Sequence, residues 1–127
     1  MNSEKVVFGF FIVLALTLNF GFFLGGMTDI SHHSVFELYA AIVVSLVATI
    51  LKFGDSSHLG AIFLSTSLVA DLQLVAAAIV WGIAEHTTTA GVTEEVTSMI
   101  VSLSGGALLA NITSVILLIA ETLSIRR

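Results

Sequence analysis

The stretch LGAIFLSTSLVADLQLVAAAIVWGIA, residues 59–84, decides the fold. It exceeds the roughly 20 apolar residues that carry a helix across a bilayer core. It holds no Lys or Arg, and its only acid is Asp71. The apolar residues run on without alternating, which excludes a barrel strand. Three more stretches read the same way: Val6–Leu24, Val35–Leu51 and Val96–Leu123. The connectors Gly25–Ser34, Lys52–His58 and Glu85–Glu95 are too short for a soluble domain. The sequence thus predicts an all-α polytopic integral membrane protein. It is expected to be a bundle of four transmembrane helices in a single domain over residues 1–127.

Composition excludes several classes. Of 127 residues, 57% are hydrophobic and 10% charged, and there is no Cys and no Pro. A disulfide-stapled domain, a Cys-ligated metal centre and a disordered chain are ruled out. The net charge of -5 argues against nucleic acid, which requires a basic footprint. No P-loop, G-x-S-x-G or H-E-x-x-H is present, and the histidines lie outside the spans. A non-enzyme without cofactor is expected. His32, His33 and His86 lack the spacing of a metal site and read as loop residues, so no metal is expected either.

The segment starts carry capping chemistry. Ser34 and Glu37 form a capping box for the second, Asp55, Ser56 or Ser57 can cap the third, and Thr93 the fourth. The first segment follows Lys5, as the apolar part of a signal peptide would. The run is too long for that, and Phe20, Phe22 and Phe23 stand where a cleavage site needs small residues. It reads as an uncleaved anchor.

Basic residues give an orientation. Lys5, Lys52, Arg126 and Arg127 fall on one side, and Asp29, Glu85, Glu94 and Glu95 on the other. The positive-inside rule places both termini in the cytoplasm, with a plasma or inner membrane as the expected location.

Inside the spans the polar residues carry the information. Counted from the cytoplasmic helix ends at 1.5 Å per residue, Asp71, Asn111 and Tyr39 lie about 18 Å deep, Asn19 about 20 Å, and Glu37 and Gln73 about 21 Å. Asp71 has no basic residue in any span to pair with it. A carboxylate at mid-span costs about 2.5–3.5 kcal/mol on insertion scales, so it is protonated, hydrogen-bonded or neutralised by a cation. One carboxylate with neutral oxygens suits H⁺ or a monovalent cation. The candidate site is therefore Asp71 with Asn19 and Asn111 as neutral partners and Glu37 as an outer mouth. In the plainer reading Asp71, Asn19 and Asn111 are helix–helix glue and Glu37 completes the capping box.

In the last span Ser98, Ser102, Gly106, Ala110 and Ser114 recur every four residues. Such a stripe lets another helix approach closely, as a packing seam or as a homo-oligomer interface. Two functions follow. The first is a homo-oligomeric unit conducting or coupling H⁺ or a monovalent cation through Asp71. The second is an accessory subunit of a larger membrane complex, its polar layer serving as glue. In both, the lipid bilayer and other membrane-embedded chains are the partners.

Overall fold

The computed structural model describes residues 3–24, 35–54, 57–87 and 89–125, and for residues 3, 4, 124 and 125 the backbone alone. These residues form four helices: α1 (Ser3–Phe23), α2 (Val35–Lys52), α3 (His58–Thr87) and α4 (Glu94–Ile125). No strand occurs among them. Each helix is long and apolar enough to span a membrane. α3 and α4, with 30 and 32 residues, run past the predicted ends by a few residues. At 1.5 Å per residue α3 is about 45 Å long, longer than a hydrocarbon core about 30 Å thick.

The caps explain two of the starts. The Gly60 amide donates to Ser57 Oγ at 3.0 Å, which makes Ser57 the cap of α3. The Val96 amide donates to Thr93 Oγ1 at 3.2 Å and caps α4. Glu94 and Glu95 follow in the first turn, where the helix dipole favours acids. Ser34, on which the proposed box with Glu37 depends, and the alternative caps Asp55 and Ser56 lie outside the described residues. Past α2 the chain turns through Gly54 at φ +96°, a left-handed conformation that side chains rarely adopt.

The helices form a ring. α1 packs on α2, α2 on α3, α3 on α4, and α4 closes back onto α1. Sequential helices are antiparallel, so the order is up, down, up, down.

The inward positions have a strict spacing. In α1 they are Phe8, Ile12, Ala15, Asn19 and Phe22. In α3 the alternation of three and four runs from Phe63 through Ser67, Ala70, Leu74 and Ala77 to Trp81. That is a period of 3.5, the seam of a left-handed bundle. The amphipathic signal of a soluble bundle is missing because the outward face is just as apolar. Phe10, Phe36, Ile50, Leu72 and Leu109 are all exposed. Polar side chains are instead drawn inward: Asn19, Ser45, Thr49, Ser67, Asp71, Thr97, Ser104, Asn111 and Ser114 are buried. In an apolar solvent a polar atom gains by facing protein.

The two ends of the bundle differ. At one, Lys5 pairs with Glu121 at 3.5 Å. At the same end the Lys52 ammonium sits 4.4 Å from the Phe8 ring centre and 5.1 Å from that of Phe63. Those two rings pack edge to face in a small apolar cluster with Ile12 and Ala48. At the other end the Trp81 indole N–H donates to Glu85 at 3.0 Å. A larger core built on Phe22, Leu38, Leu74 and Ile100 fills that half.

Candidate functional site

Asp71 is the one ionisable side chain buried among the described residues. Its partners come from α2. Ser45 Oγ donates to Oδ1 at 2.6 Å, and Thr49 Oγ1 donates to Oδ2 at 2.5 Å. Ser45 and Thr49 are four residues apart and so share a helix face. The carboxyl bridges the two hydroxyls, one per oxygen.

This clasp has a proton-counting consequence. Thr49 Oγ1 also lies 3.0 Å from the Ser45 carbonyl, within reach of the same hydroxyl. A hydroxyl has one proton and two lone pairs. With an ionised Asp71, Thr49 turns its proton to the carboxylate. With a protonated Asp71, the acid donates to Thr49, and Thr49 donates on to the Ser45 carbonyl. Both states keep every atom of the clasp bonded, and passing between them takes one proton onto or off the carboxyl and the rotation of one hydroxyl. The same oxygens, two from the carboxyl and two from hydroxyls, form a donor set of the kind that suits a monovalent cation.

Asn19 and Asn111 meet at another interface, between α1 and α4. With its amide oriented to match its neighbours, Asn19 donates to the Ser104 carbonyl at 3.0 Å. Its oxygen accepts from the Leu108 amide at 2.9 Å and from Asn111 Nδ2 at 3.3 Å. Ser104 and Leu108 are the two ends of one helical rung, so the Asn19 amide docks on α4 as another peptide group would. Among the described residues no hydrogen bond joins Asp71 to Asn19 or Asn111.

Glu37, the expected outer mouth, packs its carboxylate against Gly21 of α1, where an added Cβ would collide with it. Tyr39, placed near the same depth by counting, is half exposed and off the clasp. Ser45 and Thr49 are not among the site residues that the sequence points to. Their one signal is a pair of hydroxyls at i and i+4 in a span, a pattern shared by many helices that back-bond to themselves.

The stripe on α4 divides between faces. Ser114 bonds Thr66 of α3 at 2.6 Å. At Gly106 a Cβ would land on the Gln73 amide of α3. Ala110 lies against the larger core, and Ser102 is exposed. Gly106, Ala110 and Ser114 therefore serve packing inside the chain. Neighbouring Gly105 admits the Phe23 ring of α1, so this turn of α4 is approached closely from both sides.

Beside that seam a groove of about 460 Å³ opens between α3 and α4, and Ser65, Thr66, Gln73 and Thr113 are among its lining. Gln73 Oε1 is a buried atom with no hydrogen-bond partner. Among the described residues no group of three or more His, Cys, Asp or Glu is placed to hold a metal ion. His58 and His86 are exposed, at opposite ends of α3.

Residues 32–122 match the model of a family described as Family of unknown function (DUF6394). No curated protein and no solved structure is matched by the chain.

Proposed function

The chain belongs to that family of unknown function, and with no activity to inherit from it we propose that it is an integral membrane protein that binds and passes H⁺ or a monovalent cation at Asp71. Both termini face the cytoplasm, at the end that carries Lys5 and Lys52. One observation carries the reading: a buried carboxyl held by two rotatable hydroxyls, while the lysines of the spans, Lys5 and Lys52, stand at helix ends. Such a group exchanges a +1 charge without rebuilding its surroundings, and intramembrane acids of this kind mark ion and proton pathways. Four helices leave little room for an alternating-access carrier, so the working unit is an oligomer. Asn19 and Asn111 support the site from the adjacent interface, and Glu37 lies toward its outer side. The chain performs no covalent chemistry.

A second reading is an accessory subunit of a larger membrane complex. It is favoured by the groove at Gln73, whose side-chain oxygen is unpartnered within the chain. In this reading another membrane helix seats in the groove, and the Gln73 side chain turns outward to meet a polar group on it.

Reconstitution separates the two. Wild-type protein in liposomes should pass H⁺, Na⁺ or K⁺ down an imposed gradient, and Asp71→Asn should abolish the flux while the protein still folds and assembles. No flux from wild type, together with loss of association in Gln73→Leu, would instead favour the accessory role.

A further inference from the structure

Two buried polar atoms inside the ring are unexplained by the clasp or the asparagine pair. Ser67 Oγ and Asn111 Oδ1 have no hydrogen-bond partner, and both residues are fully buried. They lie at matching levels on facing helices. The Thr66–Ser114 bond and the Gln73–Gly106 apposition set the register of α3 on α4. In that register Ser67 and Asn111 lie at the same level to within about two residues, roughly 3 Å measured along the helix axis. Ser67 is also one turn from Asp71 on the same face of α3. Asn111 in turn donates to Asn19.

A buried polar atom left unbonded costs about 1–3 kcal/mol. Buried water removes that cost where two to four polar partners converge. Ser67 Oγ and Asn111 Oδ1 are two candidate partners, and the Asp71 carboxyl, one turn from Ser67 on α3, offers free lone pairs as a third.

We infer that Ser67 and Asn111 hold buried water between α3 and α4. This water links the Asp71 clasp to the Asn19–Asn111 pair in one hydrogen-bonded track through the middle of the bundle. The track makes Ser67 a water-binding residue and gives a proton leaving Asp71 a route away from α2. Its role in transport rests on the proposed function of Asp71, whereas the presence of water does not.

Water-edited solid-state NMR on the full chain in bilayers tests it. Polarisation from water should reach Ser67 and Asn111 several-fold faster than it reaches Ala77, a fully buried apolar reference on α3. Ser67→Ala should slow the transfer to Asn111, and Ser67→Thr should restore it. Transfer to Ser67 and Asn111 as slow as to Ala77 in wild type would overturn the inference. That result would mean the Ser67 hydroxyl turns to its own helix and the seam is dry. The two claims fail separately. A dry seam with flux abolished by Asp71→Asn removes the track and leaves the ion site. A wet seam with flux indifferent to Asp71→Asn does the reverse.

Discussion

The α2–α3 and α1–α4 interfaces solve the same problem with different chemistry. Both bury polar side chains in an apolar bundle, and both satisfy them across a helix contact. At α1–α4 the groups are neutral amides bonded to backbone and to each other. They have a single charge state, so they give adhesion and register, and in Asn111 an oxygen for buried water, but cannot themselves exchange charge. At α2–α3 the central group is a carboxyl between two hydroxyls, a frame whose hydrogen bonds could be kept with the carboxyl charged or neutral. Polarity in a span therefore does not mark function by itself. On the proposed reading, the mark is a polar group able to change charge without losing its partners.

Substitutions at the two interfaces should separate accordingly. The largest effect is expected from Asp71→Asn, which removes the exchangeable charge and keeps an oxygen for the hydroxyls. Ion flux should vanish while unfolding free energy in bilayers changes by about 1 kcal/mol or less. Gly106→Leu comes next. Its side chain meets the Gln73 amide and forces α3 from α4, a strain of about 1–3 kcal/mol readable by steric trapping or by denaturant unfolding in micelles.

Asn19→Leu should destabilise by about 1–2 kcal/mol, since interhelical hydrogen bonds in membranes average about 0.6 kcal/mol and Asn19 makes more than one. Flux per folded molecule should stay as in wild type. If Asn19→Leu abolished flux and left stability alone, the contrast between the interfaces would be lost. The smallest change belongs to Lys52→Met. It forfeits a cation–π contact worth about 0.5–1 kcal/mol at a partly exposed site, and it should alter neither interface.

The sequence made the helices legible and the helix faces illegible, for one physical reason. A continuous apolar run such as residues 59–84 is required by the hydrocarbon core, so it announces a span. The same requirement makes the outward face apolar and erases the periodicity that orients a soluble helix. Leu72, outward, and Leu74, inward, look alike in the sequence, as do Ile79 and Ile100. Asp71, Asn19 and Asn111 were visible because their residue types are rare in spans. Their partners were not, because pairing depends on helix rotation and register. Depth counted from helix ends set Tyr39 beside Asp71, whereas the bundle sets Ser45 and Thr49 there. The unequal lengths of α2 and α3, 18 and 30 residues, explain the slip, since their ends need not lie at one height. The stripe on α4 reads in sequence as a packing seam or an oligomer interface, and over Gly106 and Ser114 the neighbour within this chain is α3.

The most direct test asks whether the Asp71 carboxyl changes state in the folded protein. Infrared difference spectroscopy in lipid bilayers resolves the C=O stretch of a protonated carboxyl, and Asp71→Asn identifies the band by its loss. The band should disappear reversibly on raising pH or on adding Na⁺ or K⁺, and the agent that removes it names the ion. A band that stays fixed under every pH and salt at which the protein remains folded would make Asp71 a permanent hydrogen-bonding strut. That result would contradict its role as an ion site.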